Sequence, residues 1–470
     1  MLATFALSAA LLQLALAQGP SSCGPAPSGN IRPSIASGYH YQVVATGLSR
    51  PRGLHFDNDG HLLVVESRAG RVVAFSLDED ESGCITASSP KPVTDDSDLN
   101  HGIEISPDGN TLYASSSNDA YAWDYDSSDQ SVSNQRTIVT NMEGSDHVTR
   151  TLLLSRVTPD WLVISFGSKG NLDFEAADIE SGSATVKAFN LANRSGVYDY
   201  PTEGTLLGWG LRNEVGLVEH PSSGGIWGIE NSADQLERYG VDVHENNPGE
   251  ELNFLGYLNG TDTPEQGSNF GYPWCYSAWS VDELPEHQSL EVGTQFAIDV
   301  TSDLNGENRT DEYCANQTRS RLVFEDHMAP LDIKFNDSGR NAWVTFHGSW
   351  NSPDPVGYKL SLVEFSEDGE PVDEATSRTA ATDIFANEDV SRCAADCFRP
   401  VAMAIDQQGR IFMSSDSTGE IYMIARDEGA SSTGASPTSS STSTSSDNAA
   451  PYLTYYTMAP YLAPALAMLV

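Results

Sequence analysis

A short unit recurs six times along this chain, and no other feature restricts the fold as strongly. Each copy is an apolar run, a tight turn and a second apolar run, as in HGIEISPDGNTLYASSS at 101–117. The turns are rich in Asp, Ser and Gly, which accept the positive φ that a tight hairpin requires. The other copies lie at 51–68, 149–168, 212–231, 329–349 and 399–424.

Repeated hairpins at such intervals predict an all-β fold, a six-bladed β-propeller with one copy in each blade. Helical periodicity is almost absent between about residues 30 and 427. The turn-rich stretch 232–328 is too long for the loops of one blade, so we expect loop insertions on the top face. The alternative is six unrelated hairpins in a β-sandwich, which the shared layout disfavours.

The two ends of the chain differ in composition from the propeller, which is predicted over 18–427. Residues 1–17 are apolar and end in Ala-Leu-Ala, which is typical of a secretory signal peptide; a buried N-terminal helix is the alternative. The segment 428–448 is rich in Ser and Thr and predicts a flexible stalk. The apolar tail 449–470 is typical of a GPI-anchor signal, the alternative being a disordered tail that stays attached.

If the signal peptide directs secretion, we expect the protein to have a glycosylated surface and disulfide-bonded cysteines. Six cysteines permit 15 pairings, which the spacing leaves open. Cys393 and Cys397 are close enough for a local clip, and Cys275–Cys314 would close the long insertion. Cys23 and Cys84 would then pair with each other. Glycosylation sequons begin at Asn193, Asn259, Asn308, Asn316 and Asn336.

The formal net charge of −41, from 66 acidic and 25 basic residues, excludes binding to a nucleic acid backbone. In so acidic a chain, a cluster of basic residues also indicates a binding site for an anionic ligand. Basic and hydrogen-bonding residues flank the repeats, at edges that converge on the channel mouth of a propeller. Such a ring suits a ligand with several carboxylates, because Arg donates bidentate hydrogen bonds and Lys supplies a point charge. A surface ion pair is the alternative for any single residue. The residues are Arg52, His101, His147, Arg150, Arg212, Asn213, His347, Lys359 and Arg399.

Nine motifs bear on the family. They are GLSRPRGL, HGIEISPDGNTLYAS, DHVTRTLLLS, GLRNEVGL, IENSADQL, NFGYPWC, APLDIKF, FHGSWNSPDPVGYK and RPVAMAID. Together they resemble the soluble quinoprotein glucose dehydrogenases, and more closely the sorbosone dehydrogenase-like and fungal pyranose dehydrogenases that depend on pyrroloquinoline quinone (PQQ). The resemblance covers about 40–427 and implies a six-bladed propeller with PQQ across the channel mouth.

The resemblance also implies roles for individual residues. His147 matches the family's general base, which takes the proton of the sugar C1 hydroxyl while a hydride leaves C1 for C5 of the quinone. The implied cofactor-binding residues are Arg52, Arg150, Arg212, Asn213, His347, Lys359 and Arg399. A calcium ion (Ca²⁺) that polarises the quinone is implied at Asn231, Ser232 and Asp234, which offer the hard oxygens that calcium prefers.

We therefore expect a secreted, monomeric sugar dehydrogenase that passes electrons to a separate acceptor, and that is attached to the cell surface if the GPI signal is used. The acceptor would be a quinone, a radical or a secreted redox protein. Four aromatic residues near the predicted mouth would either stack on a sugar or pack the insertion: Trp274, Tyr276, Trp279 and Trp350. For Trp279, packing is the better interpretation.

Two other functions remain open from the sequence. One is a calcium-dependent hydrolase of the lactonase type, with a metal held by acidic residues such as Glu66, Glu104, Glu230 and Asp416. The cationic positions disfavour it, because a lactone has no carboxylates to hold. The other is a non-catalytic cell-surface propeller that binds glycans or proteins.

Overall fold

The computed structural model describes residues 23–25, 32–95, 98–192, 195–300 and 306–427. The predicted signal peptide (1–17), stalk (428–448) and apolar tail (449–470) lie outside the described residues. Within the described ranges, six sheets of four or five strands form the six blades of a propeller, which confirms the predicted fold class. The helices in these ranges lack the length and apolar character needed to span a membrane.

From the central channel outwards, blade 1 comprises Pro51–Phe56, Leu62–Glu66, Arg71–Phe75 and Lys91–Pro92. In the same direction, blade 2 comprises Ile103–Ile105, Thr111–Ser115, Ala120–Asp126, Ser131–Thr140 and Tyr198–Asp199. Blade 3 comprises Leu152–Leu154, Trp161–Phe166, Thr185–Asn190, Thr205–Trp209 and Ser268–Asn269.

The other three blades follow the same plan. Blade 4 comprises Glu214–Glu219, Gly225–Glu230, Glu250–Tyr257 and Leu322–Phe324. Blade 5 comprises Pro330–Phe335, Asn341–Phe346, Lys359–Glu364, Ala381–Asn387 and Pro33–Ile35. Blade 6 comprises Pro400–Ile405, Ile411–Ser415, Glu420–Arg426 and Tyr39–Ala45. Each predicted repeat therefore forms the two inner strands of one blade.

Smaller elements decorate the blades. Three two-stranded sheets are Leu77–Glu79 with Ile85–Ala87, Glu237–Arg238 with Val241–Asp242, and Cys275–Ser277 with Gln295–Ala297. The described helices are one α-helical turn, Asp311–Cys314, and the 3₁₀ turns Phe174–Ala177, Ile179–Ser181, Val281–Glu283 and Val390–Arg392.

The ring is closed by strands from opposite ends of the described chain. Tyr39–Ala45 pairs antiparallel with Glu420–Arg426, so the first and last segments of the propeller share blade 6. The first strands of consecutive blades contact one another around the channel, including those of blades 6 and 1. Closure leaves no open sheet edge at the junction, and edges are where sheets tend to aggregate.

The core consists of apolar layers between neighbouring blades. In blade 1, Leu62 and Val64 pack towards blade 6, while Leu63 and Val65 pack towards blade 2. Successive side chains of a strand point to opposite faces, so a strand between two blades must be apolar on both. This explains why the inner strands are continuous apolar runs rather than alternating ones.

The long stretch 232–328 is only partly insertion. It supplies two outer strands of blade 4, Glu250–Tyr257 and Leu322–Phe324, and the outermost strand of blade 3, Ser268–Asn269. Part of the described remainder packs around an apolar cluster that includes Tyr276 and Phe296 and also Ala176 and Ala184 of blade 3. The sequence could not separate blade strands from insertion in this stretch, because no tight Asp-Gly hairpin marks them.

Three disulfides join the cysteines, in the pairing that the sequence favoured. They are Cys23–Cys84, Cys275–Cys314 and Cys393–Cys397. The second closes the insertion beside Trp274, which is buried with both of these cysteines. Tyr276 and Trp279 are buried as well, so three of the four aromatic residues singled out in the sequence pack the insertion.

Candidate active site

A cavity of about 480 Å³ opens at the face where the first strand of each blade begins, which we call the top face. Its walls come from residues just before first strands, just after second strands, and on the insertion. The predicted residues that line it are His147, Arg212, Asn213, Asn231, Ser232, Asp234 and Arg399. The fold thus brings together residues that lie more than 250 positions apart.

His147 is buried in the wall of the cavity and has a defined tautomer. Its Nδ1 lies 2.9 Å from the backbone oxygen of Ser168 and 3.0 Å from the Ser168 Oγ. A carbonyl oxygen only accepts hydrogen bonds, so Nδ1 carries the proton and Nε2 keeps its lone pair. Burial, with the positive charge of Arg212 second, holds the pKa of His147 well below the usual 6.5. The side chain is therefore a neutral base.

Arg212 joins three parts of the cavity wall. Its Nη1 donates to the backbone oxygens of Asn231 (3.1 Å) and Ser232 (2.6 Å), and its Nε and Nη2 donate to Asn171. A guanidinium has five N–H donors, so one N–H of Nη2 is left for the cavity. Arg212 therefore stabilises the loop 231–234 and also presents a cation to a ligand in the cavity.

Arg399 stands across the cavity, just before the first strand of blade 6. Its Nε donates to the backbone oxygen of His347 at 3.1 Å, and its Nη2 donates to that of Gly348 at 2.5 Å. Its Nη1 has no partner among the described residues. The guanidinium is thus held by two carbonyls in an orientation that presents two N–H groups to a ligand.

Two other predicted residues, Arg52 and His347, lie next to the cavity wall without lining it. Both contact the carboxylate of Asp416: Arg52 Nη1 at 3.2 Å and His347 Nε2 at 2.9 Å. Burial, with Arg399 second, lowers the pKa of His347 to about 4, so the ring is neutral and donates through Nε2. Arg52 Nη2 and His347 Nδ1 are buried and unpaired within the described ranges.

Lys359 was expected to face the cofactor, and the structure places it elsewhere. Its Nζ lies 3.0 Å from a carboxylate oxygen of Asp383 on the adjacent strand of blade 5, and the residue does not line the cavity. Lys359 begins the third strand of its blade, and the side chain runs along the blade surface. The motif identified the position, but the direction of the side chain depends on the strand register.

Arg150 is also outside the cavity lining, directly beneath the loop that carries His147. Its guanidinium donates to the backbone oxygens of Met142, His147 and Thr149, and lies 4.2 Å from the centre of the Phe166 ring. The residue is 0% exposed, so its guanidinium presents no donor to the cavity. We therefore assign Arg150 to positioning the His147 loop rather than to contact with a cofactor.

We expect the substitution Arg150→Met to lower the free energy of unfolding by about 2–4 kcal/mol, because it leaves three buried carbonyls without donors. Urea denaturation followed by tryptophan fluorescence measures the change. Arg136→Met is the matched control, since the contacts of Arg136 with Asp124 and with the Asn134 backbone oxygen are both exposed. It should change the stability by less than about 0.5 kcal/mol. Equal effects of the two substitutions would contradict the assignment.

Glu250 connects the loop 231–234, which carries the predicted calcium residues, to the backbone before the first strand of blade 5. Glu250 Oε2 accepts a hydrogen bond from the Ser232 N–H at 2.7 Å, and Oε1 accepts one from the Ala329 N–H at 3.0 Å. Burial raises the pKa of Glu250 to about 7. The carboxylate of Asp234 points to His327, with Oδ1 at 3.2 Å from Nδ1.

Several cavity residues were not identified from the sequence. Asn171 Oδ1 accepts hydrogen bonds from the Arg212 guanidinium and from the backbone N–H of Asp234. Glu250 begins the third strand of blade 4, and His327 lies in the connection between blades 4 and 5. No repeat boundary marks these positions, so the spacing of the hairpins carried no signal for them. Trp350 was noted as an aromatic near the mouth, and it is the one of the four that lines the cavity.

The acidic residues considered for a hydrolase do not meet in the cavity. Glu66 pairs with Arg71, and Glu104 pairs with His55 beside a second cavity at the opposite end of the channel. Asp416 pairs with His347, and Glu230 accepts a hydrogen bond from the backbone N–H of Arg212. Their separation removes the structural basis for a shared metal at these four residues.

Known proteins resemble the chain over nearly the whole propeller. The TrAA12-like family matches residues 33–427. A PQQ-dependent sugar dehydrogenase of Hypocrea jecorina is 44% identical over 398 residues, which are 83% of this chain and 89% of the relative. A PQQ-dependent pyranose dehydrogenase of Coprinopsis cinerea is 37% identical over 431 residues, which are 87% of this chain and 56% of the relative.

A solved structure agrees with the fold. The calcium structure of a Trichoderma reesei enzyme of the carbohydrate-active family AA12 superposes with a TM-score of 0.82 at 44% identity, covering 86% of this chain and 100% of that one. These similarities confirm the family resemblance that the nine motifs indicated.

Proposed function

The chain belongs to the TrAA12-like family and is an oxidoreductase, and on this premise we propose that it oxidises the C1 hydroxyl of pyranose sugars with PQQ. The observation that carries the proposal is one cavity in which a neutral histidine with an unprotonated Nε2 faces two guanidinium groups. A base and paired cations are what a sugar hydroxyl and a polycarboxylate cofactor require.

The cavity residues fit PQQ in charge and in size. A volume of about 480 Å³ lies within the range of small-molecule sites. Arg212 and Arg399 would hold the carboxylates through the N–H groups that their protein contacts leave over. The buried unpaired atoms of Arg52 and His347 adjoin this wall and would bind a deeper part of the cofactor. In a chain of net charge −41, the buried Arg212 and the partly buried Arg399 in one cavity favour an anionic ligand.

The role of His147 follows from its hydrogen bonds. Ser168 fixes the ring through Nδ1, so Nε2 can accept the proton of the sugar hydroxyl. When bound, PQQ supplies the two-electron acceptor for the hydride that leaves C1. Arg150 holds the backbone of the loop, and the positive charge of Arg212 disfavours protonation of His147 before the sugar binds.

Calcium fits the loop 231–234 through its oxygens. Burial is the largest single effect on Asp234 and would raise its pKa, but the hydrogen bond to His327 and the charge of Arg212, with smaller contributions, together hold the pKa below the usual value, so the carboxylate is an anionic ligand. The carbonyls of Asn231 and Ser232 accept hydrogen bonds from Arg212 but keep a second lone pair each. Hard oxygen donors of this kind select calcium, which would supply a Lewis acid beside the cofactor.

The remaining parts of the proposal concern location and electron transfer. The predicted signal peptide and the sequons support a secreted glycoprotein, with a GPI anchor as the proposed attachment and a monomer as the proposed assembly. Electrons pass to a separate acceptor, a quinone, a radical or a secreted redox protein.

The test is a titration of the purified protein with PQQ in the presence and absence of calcium, followed by absorption and then by reduction of a dye with a panel of aldoses and ketoses. We expect saturable PQQ binding, weakened by chelation of calcium, and dye reduction with aldopyranoses. Absence of binding at micromolar PQQ would contradict the proposal. Binding with oxidation of the ketoses but of none of the aldoses would contradict the C1 assignment, because the anomeric carbon of a ketose is C2 and carries no hydrogen.

A further inference from the structure

Two histidines and a carboxylate meet at the edge of the cavity. One ring nitrogen of each of His244 and His327 and a carboxylate oxygen of Asp234 lie within 4.8 Å of one another. The two imidazole rings are nearly perpendicular, with centroids 5.2 Å apart. Among the described residues this is the one group of three or more His, Cys, Asp or Glu side chains with such geometry.

The hydrogen bonds identify the nitrogen of His327 that faces the other two residues. His327 Nε2 lies 2.7 Å from the backbone oxygen of His244 and donates to it. Its Nδ1 is therefore directed at Asp234 Oδ1, at 3.2 Å. His327 has a positive φ of 60°, a backbone conformation that non-glycine residues seldom adopt.

His244 has an unsatisfied atom. Its Nδ1 is buried and has no hydrogen-bond partner within the described ranges. Burying a polar atom without a hydrogen-bond partner costs free energy. A ligand bound to this nitrogen would remove that cost. His244 also lies close to the cavity along the chain, since the strand Glu250–Tyr257 that follows it begins at the cavity wall.

We propose that His244, His327 and Asp234 bind a divalent transition-metal ion of the zinc or copper class. Imidazole nitrogen with one carboxylate is a donor set for these ions, whereas calcium takes oxygen ligands. Tetrahedral bonds of about 2.0–2.1 Å place ligand atoms roughly 3.4 Å apart, so the three side chains need only a small closure. The metal replaces the proton that His327 Nδ1 shares with Asp234, and its open position faces the cavity.

The site shares Asp234 with the calcium of the proposed function, and this second consequence rests on that function. A carboxylate bound to a transition metal is a weaker ligand for calcium, so zinc should raise the calcium concentration needed for dye reduction. Occupancy of the new site itself does not depend on PQQ, calcium or sugar.

The experiment titrates the full-length protein, stripped of metals with a chelator and free of PQQ, with Zn²⁺ by calorimetry. Co²⁺ serves as an optical probe of tetrahedral nitrogen and oxygen ligation. The variants are His244→Ala and His327→Gln. The matched control is His40→Gln, because His40 Nδ1 also lies 2.9 Å from a carboxylate, that of Asp427, but belongs to no three-residue group in the described structure.

We expect one Zn²⁺ per chain in the wild-type protein and in His40→Gln, and an affinity at least about 100-fold lower in His244→Ala and His327→Gln. The Co²⁺ absorption should be lost in the same two variants. Failure to bind Zn²⁺ stoichiometrically, or equal affinity in His244→Ala and the wild type, would overturn the proposal. Neither result bears on whether the protein oxidises sugars, because cofactor and sugar are absent.

Discussion

Replacement of His147 by alanine is expected to lower kcat for sugar oxidation by about 10²–10⁴-fold, the usual contribution of a positioned general base. The affinity for PQQ should change little, because the cationic contacts of the cavity remain. Stopped-flow reduction of the PQQ-loaded protein by sugar measures the chemical step directly. The physical reason is the fixed tautomer: the Ser168 carbonyl keeps the proton on Nδ1 and leaves Nε2 as a base.

The pH dependence provides a second readout of the same residue. Because burial and Arg212 lower the pKa of His147, the neutral base persists to lower pH than free histidine does. The acidic limb of kcat/KM should therefore lie below pH 6.5, the ordinary pKa of a histidine, and it should vanish in His147→Ala.

His287→Gln is the matched control for this substitution. His287 Nδ1 also bonds a backbone carbonyl, that of Leu284 at 2.7 Å, but the residue does not line the cavity. We expect its kinetics and pH profile to match the wild type. A His147→Ala enzyme that retains its turnover and its acidic limb would show that another group removes the proton.

Replacement of Arg399 by glutamine is expected to weaken PQQ binding by about 10- to 100-fold, whereas Lys359→Gln should change it less than about threefold. Both residues are cations in family motifs, but the structure places only Arg399 in the cavity lining. The guanidinium of Arg399 lines the cavity, and a charge-assisted hydrogen bond contributes about 1.5–3 kcal/mol. The ammonium of Lys359 is held by Asp383 on the blade surface.

Equilibrium titration of the two variants with PQQ at constant calcium and ionic strength measures the difference. The loss in Arg399→Gln should be smaller at high salt, because part of the attraction is a screened charge interaction. Equal losses in the two variants would mean that Lys359 leaves Asp383 for the cofactor, and that its place on the blade surface is not the one it keeps when PQQ binds.

The architecture was readable from the sequence because it is encoded locally. A tight hairpin such as 101–117 needs its own turn residues and two apolar runs, so six copies predict six pairs of inner strands. The disulfides were favoured for a similar reason, since Cys393 and Cys397 are neighbours and Cys275 and Cys314 bracket one insertion. The cavity residues beside the repeats, such as His147 and Arg212, were accessible because propeller strands converge at the channel.

By itself, the sequence determined which residues stand near the top of the channel; only the tertiary structure decided where their side chains point. Arg150, like Arg399, is a cation in one of the family motifs, and so is Lys359. Arg150 is nevertheless held by backbone carbonyls beneath the His147 loop, and Lys359 by the carboxylate of Asp383. Glu250 and His327 join the cavity from the stretch 232–328, which carries no repeat signal. Position along the chain follows from local turn chemistry, whereas the direction of a side chain depends on strand register and on partners hundreds of residues away.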